Sequence, residues 1–161
     1  MGSIQARSEE LMRPAAALGG VALLVYAGQV MERTGWTVWM AIAAGSAVGG
    51  VARHLCTEVV TRIAGPGFPW GTLLVNVAGS VAIGALAAMV TGGAPLTWTP
   101  LTRHAMMTGV LGGFTTFSTF SVQTMALLQQ GQVGAATANV LISVLVGVAG
   151  CWAGFAAVVA L

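Results

Sequence analysis

The chain has 161 residues, 6% of them charged and 57% hydrophobic, with a mean hydropathy of +0.88. A soluble domain carries roughly 25% charged residues, so this composition excludes a water-facing globule and points to an integral membrane protein. The formal net charge is +2, and no basic cluster is present of the kind that nucleic acid requires.

At this length there is room for about four or five membrane-crossing helices of roughly 20 residues, and for no additional soluble domain. Residues 1–13 are polar, with Arg7, Glu9, Glu10 and Arg13, and are expected to form a tail. Residues 15–31 are apolar apart from Gln29. They are short for a full span and lack a convincing signal-cleavage site, so they read either as an extra transmembrane helix or as a helix lying at the interface.

A polar break at Glu32–Gly35 then precedes Trp36 and Trp39, placed as in an interfacial aromatic belt. The first confident span is expected over 36–61. Its Gly45 and Gly49 form a small-xxx-small pattern that lets helices approach closely, and Glu58 and Arg62 are spaced to pair on one helical face. Gly65-Pro66-Gly67-Phe68-Pro69 cannot continue a helix. The second span is expected over 71–90, with Asn76 as its one strongly polar interior residue, joined by Thr72 and Ser80. Gly92-Gly93-Ala94-Pro95 ends it.

The third span is expected over 101–128, interrupted at Gly112-Gly113. After the turn Gln129–Gln132, the fourth is expected over 133–161, with Asn139 and Ser143 on one face and Gly150 and Gly154 in a second close-packing pattern. Cys56 and Cys151 have no metal or redox spacing and are expected to be small apolar core residues. The expected fold is therefore an all-α membrane protein in two parts. Residues 1–35 hold the tail and extra apolar segment, and residues 36–161 hold a four-transmembrane-helix core with a broken third helix. So few helices suggest that the chain oligomerises to complete any transport pathway. Arg33 and Arg103 fall on one side of the core spans and Arg62 on the other, so the positive-inside rule barely discriminates. Either the tail fixes one orientation, or two copies insert in opposite orientations and pair about an axis in the membrane plane.

Four features carry candidate chemistry. Asn76, in mid-span, must be hydrogen-bonded. It is either a helix–helix hydrogen bond or a source of uncharged donors for a small, strongly hydrated anion. Phe117 and Phe120 share a helical face. They either pack in a core or turn their positive ring edges to an anion, with hydroxyl donors from Thr116, Ser118 and Thr119 nearby. Such donors favour the smallest halide, because hydrogen bonds weaken as the ion grows. The break from Gly112 to Thr115 frees carbonyl oxygens, and two breaks meeting at a two-fold axis would suit a hard monovalent cation. No nearby carboxylate argues for a divalent one. Arg53 would draw anions toward a vestibule, or else snorkels or pairs with Glu58. His54 and His104 have no partner at a nucleophile or metal spacing, and no enzyme is read here.

Three motifs together resemble the Fluc (CrcB) fluoride channel family, over roughly residues 36–161. They are Gly49-Gly50-Val51-Ala52-Arg53, the run Trp70-Gly71-Thr72-Leu73-Leu74-Val75-Asn76-Val77-Ala78-Gly79, and above all Gly109-Val110-Leu111-Gly112-Gly113-Phe114-Thr115-Thr116-Phe117-Ser118-Thr119-Phe120-Ser121. The resemblance implies an antiparallel, dual-topology homodimer in the cell inner (plasma) membrane, with two fluoride pores lined by both subunits. It implies that Asn76 lines the pore, that Phe117 and Phe120 contact fluoride, and that Ser118 and Ser143 belong to a polar track. It also implies that Arg53 lies near the vestibule and that the carbonyls of Gly112 and Thr115 hold a structural sodium ion at the dimer centre. Gln123 stands where some members have a glutamate, and Asn139 where some have a tyrosine. The segment before residue 36 is longer than the family pattern needs.

The expected function is passive, fluoride-selective export from the cytoplasm. One alternative is a small proton-coupled multidrug exporter, which would need Glu58 as its intramembrane carboxylate. Another is a non-transporting membrane assembly protein.

Overall fold

The computed structural model describes residues 28–31, 34–91 and 98–160. The expected tail over 1–13, the apolar segment over 15–31 (apart from 28–31, which are helical) and the Gly92–Pro95 turn lie outside the described residues. The chain divides into two compact units, Met1–Trp39 and Met40–Leu161, and the packing described below lies within the second.

Every element among the described residues is helical. α1 spans Trp36–Ala64, α2 Trp70–Thr91 and α3 Pro100–Arg103. A π-helical segment follows at His104–Leu111, then α4 at Gly112–Phe114, α5 at Phe117–Gln129 and α6 at Val133–Val159. α2 and α6 are each long and apolar enough to cross a membrane. At 1.5 Å per residue, the 22 residues of α2 reach about 33 Å, against a hydrocarbon core of roughly 30 Å.

The connections follow from local chemistry. Gly65 adopts φ +83° and Gly131 φ +74°, the left-handed region that glycine enters at little cost and that ends α1 and α5 abruptly. Thr99 caps α3, accepting from the Thr102 amide at 3.2 Å, with Pro100 in the first turn.

Glycines set the helix packing. A Cβ on Gly45 would lie 2.6 Å from the Ala105 carbonyl, and one on Gly49 would overlap the Val110 carbonyl. The facing surface is also glycine: a Cβ on Gly109 would meet Ile42, and one on Gly113 would sit 2.5 Å from the Ser46 carbonyl. Backbone thus meets backbone between α1 and the third segment, as the small-xxx-small pattern predicts. α2 and α6 do the same: Gly84 rests against Cys151, Gly154 against Val81, and Gly150 against Val81 and Val77. Ser80 faces Gly147 in the same register. Residue numbers rise together along both helices, so α2 and α6 run parallel. The pairs Ile42/Gly109 and Ser46/Gly113 show the same for α1 and the third segment.

Two expectations are corrected. Gly112 and Gly113 do not interrupt the third span; Gly112 is helical at φ −63°, ψ −37°, and both residues lie in α4. The chain becomes extended only at Thr115 (φ −87°, ψ 157°) and Thr116 (φ −153°, ψ 115°). Gly113 serves close packing instead. Cys56 is exposed on α1 rather than in a core, on an outward face that also carries Leu55 and Val59. Such a face needs no polar cover in hydrocarbon. The Glu58–Arg62 pair forms as spaced, at 3.0 Å.

Candidate functional site

The extended pair Thr115–Thr116 is held open by the side chain of Asn76. Asn76 Oδ1 accepts from the Thr116 amide at 2.8 Å, and Asn76 Nδ2 donates to the Thr116 carbonyl at 3.0 Å. In an unbroken helix the Thr116 amide would close on the Gly112 carbonyl. One turn on, the Thr119 amide would close on Thr115, but it goes to Thr116 Oγ1 at 3.2 Å. Two side chains have taken the donors, and the carbonyls of Gly112 and Thr115 lose their helical partners. Asn76 therefore makes the helix–helix bond, which spends one of its two N–H groups and leaves the other. Gly79, one turn along α2, seats the Thr115 side chain, whose methyl occupies the place a Cβ at Gly79 would take.

Thr116 is buried and acts as the N-cap of α5. Its Oγ1 donates to Thr119 Oγ1 at 3.0 Å and lies 3.2 Å from Ser118 Oγ. Its hydroxyl proton is thus used within the protein. Downstream, Phe117 and Phe120 stack at a tilt with ring centroids 5.3 Å apart, within the range that aromatic pairs favour. They differ in environment: Phe120 is 9% exposed and Phe117 78%. A relay steadies Phe120 from behind. Buried Asn139 on α6 donates to Thr124 Oγ1 at 2.8 Å, and Thr124 donates to the Phe120 carbonyl at 2.8 Å.

These residues surround a cavity of about 370 Å³. Asn76, Gly112, Thr115, Thr116, Phe117, Phe120 and Ser143 all line it, so seven of the residues singled out from sequence meet at one place. Ser118 and Thr119 stand behind Thr116 and do not line it. Arg53 lies half-buried on α1 and is not one of the residues lining the cavity. Its alternative partner Glu58 is paired with Arg62. The wall also includes Gly79, Ser80 and Ile83 of α2, Met107 and Leu111 of the third segment, and Val144 of α6. Sequence reading gave these no role, although the four-residue spacing of Asn76 and Ser80 places both on one face of α2. Ser143 Oγ is fully buried and has no hydrogen-bond partner among the described residues, so this wall presents a polar group with nothing yet to satisfy it.

A second cavity, of about 220 Å³, lies between the Pro66–Pro69 turn and the end of α5, lined in part by Thr61, Gln123, Gln130 and Gln132. Gln123 Oε1 is buried there without a partner among the described residues. Where some members of the resembled family carry a charge, this chain presents a neutral amide.

No His, Cys, Asp or Glu cluster able to hold a metal occurs among the described residues. Glu58, which the exporter alternative requires, is exposed beside Arg62.

The sequence profile of the family described as "CrcB-like protein, Camphor Resistance (CrcB)" matches residues 40–155. Among its relatives, the chain is 43% identical over 125 residues to the "Fluoride-specific ion channel FluC" of Opitutus terrae, covering 78% of this chain and 95% of that one. It is 46% identical over 124 residues to the protein of the same name from Geobacter sulfurreducens, covering 75% and 96%. For that of Rhodospirillum centenum the values are 45% over 119 residues, covering 73% and 91%. The stretch from Met40 to Phe155, which holds the Asn76 clamp, the open turn at Thr115–Thr116 and the cavity they wall, belongs to the CrcB-like family.

Proposed function

We infer that the chain is the subunit of a passive, fluoride-selective channel in the cell inner membrane, a channel and not an enzyme, which lets cytoplasmic fluoride out. The observation that carries this reading is the cavity of about 370 Å³. In a chain whose relatives are named fluoride-specific ion channels, it gathers an amide, an unsatisfied serine hydroxyl and two phenylalanine rings, with no charged side chain on its wall. Uncharged donors and ring edges replace a water shell best for the anion that accepts hydrogen bonds most strongly. They hold it without the deep well that a fixed cation would create, so the ion can also leave.

Outside an acid-stressed cell, hydrogen fluoride crosses lipid as a neutral acid and dissociates within. The negative interior potential then drives the anion out, at roughly 2.3 kcal/mol per 100 mV. A pore suffices for this, with no carboxylate and no nucleotide.

A four-span core, paired with a second copy in the opposite orientation, completes the reading. Phe117 supports it: a pore-wall aromatic that stays 78% exposed needs a cover. The carbonyls of Gly112 and Thr115, stripped of their helical donors, fit a hard monovalent cation such as sodium. Such a cation would neutralise carbonyl dipoles where two breaks face each other. Arg53 would act at a distance, by raising the local anion concentration at a vestibule.

The test is efflux from liposomes holding the purified protein, with fluoride and chloride followed in parallel by ion-selective electrodes and a potassium ionophore to release the opposing potential. Fast fluoride efflux with negligible chloride efflux is expected. No fluoride efflux from a monodisperse, folded protein would overturn the reading.

A further inference from the structure

Ser80 makes no hydrogen bond among the described residues, unlike neighbouring hydroxyls that bond back into their own helices. Thr115 donates to the Leu111 carbonyl at 3.0 Å, Ser121 to Phe117 at 2.9 Å and Thr124 to Phe120 at 2.8 Å. Ser80 lacks this back-bond and lines the cavity of about 370 Å³.

The hydroxyl is aimed across to α6. The nearest atom to a Cβ built on Gly147 is Ser80 Oγ, at 3.7 Å, so Ser80 looks into space that Gly147 leaves clear. Gly147 is one helical turn beyond Ser143, and Ser80 is one turn beyond Asn76. Because α2 and α6 run parallel, these four positions form two adjacent levels of one wall. The first holds the Asn76 amide and the Ser143 hydroxyl, and the second holds the Ser80 hydroxyl facing Gly147. All three residues line the cavity, and Ser143 Oγ is buried and unsatisfied. Two unspent O–H donors on one wall, with no carboxylate beside them, call for a hydrogen-bond acceptor.

We propose that Ser80 and Ser143 together coordinate the permeating anion between these two levels, and that Ser80 is a ligand which sets the rate and selectivity of conduction. This role presupposes the fluoride-channel reading. Hydroxyl donors suit fluoride because a small, hard anion gains most from each hydrogen bond. A larger halide gains less at the same site, so losing one hydroxyl costs fluoride more than chloride.

The experiment compares initial fluoride and chloride efflux from liposomes for the wild-type chain, Ser80→Ala, Ser80→Thr, Ser143→Ala and the double variant Ser80→Ala/Ser143→Ala. Gel filtration of each checks assembly. Ser80→Ala is expected to slow fluoride efflux on the order of tenfold, the size of one hydrogen bond to a charged group. Its elution should not change, because Ser80 makes no hydrogen bond among the described residues. Ser80→Thr, which keeps the hydroxyl, should restore most of the rate. If both hydroxyls hold one ion, the double variant should lose far less than the product of the single losses.

Wild-type rates in Ser80→Ala, with fluoride still conducted, would overturn the proposal and leave the channel reading intact. A Ser80→Thr variant as slow as Ser80→Ala, or losses that multiply in the double variant, would also overturn it. Absence of fluoride efflux from the wild-type chain would overturn the channel reading, and this proposal with it.

Discussion

α2 and the segment from Pro100 to Gln129 are both apolar, and they treat their backbones in opposite ways. α2 runs unbroken from Trp70 to Thr91 and spends its glycines on contact, Gly79 under Thr115 and Gly84 under Cys151. The third segment widens to a π-helix over His104–Leu111 and opens at Thr115–Thr116. It too uses Gly109 and Gly113 for contact. Glycine content therefore does not separate the two regions. The opening comes from a competitor: Asn76, carried on the intact helix, offers Thr116 both an acceptor and a donor. A helix can break in hydrocarbon only where protein supplies the missing partners, and here the neighbouring helix does so.

Substitutions at the contact glycines test this most severely. Gly84→Leu would drive a side chain into the Cys151 carbonyl, and it should cost more than the ~1–3 kcal/mol of ordinary core overpacking. Loss of the monodisperse gel-filtration peak is expected. Gly112→Ala is the matched control. Its nearest atom beyond the local helix is the Met107 carbonyl at 3.9 Å, and its dihedrals are helical. It should fold normally despite lying in the conspicuous glycine pair, and misfolding would return the break to the glycines.

Asn76→Asp comes next. The carboxylate still accepts from the Thr116 amide but sets oxygen against the Thr116 carbonyl and a negative charge on the anion's wall. Fluoride efflux should fall by about a hundredfold or more, since a like charge and a lost charge-assisted donor each cost a few kcal/mol. Phe120→Ile should slow efflux by roughly tenfold while the protein still inserts, because an aliphatic side chain fills space but has no positive ring edge. Unchanged efflux would make Phe120 a packing residue.

Thr116→Ala removes the α5 cap and should lower stability by about 1 kcal/mol, read as a shift in thermal denaturation that Thr116→Ser reverses. The smallest effect is expected of Glu58→Gln. An exposed i,i+4 pair contributes about 0.3–0.5 kcal/mol, and fluoride efflux should not change. Abolished transport would favour the exporter alternative instead.

Much of this was legible in the residues because hydrocarbon leaves the chain few choices. Charge content named the solvent, and length with turn chemistry at Gly65–Pro69 and Gln129–Gln132 placed the helix ends within a few residues. Three motifs pointed to the family whose profile matches 40–155. Single residues were harder. Thr116 read as a nearby hydroxyl donor, and its hydroxyl caps α5. Ser80 read as one more polar residue of its span, and only its facing Gly147 gives it a direction.

The sequence by itself determined the class of protein, the rough extent of the long helices α1, α2 and α6, and the chemical palette of the site. These depend on local properties: hydropathy, helix propensity and the few residues that end a helix. Only the tertiary structure decided where the third segment opens, which carbonyls are released and which donors remain unspent. Those outcomes are competitions between partners far apart in the chain, Asn76 against the helical ladder at Thr116 and Thr116 Oγ1 against the Thr115 carbonyl. A competition across 40 residues of chain has no periodicity to betray it; it is settled by which groups the packed glycines bring within 3 Å.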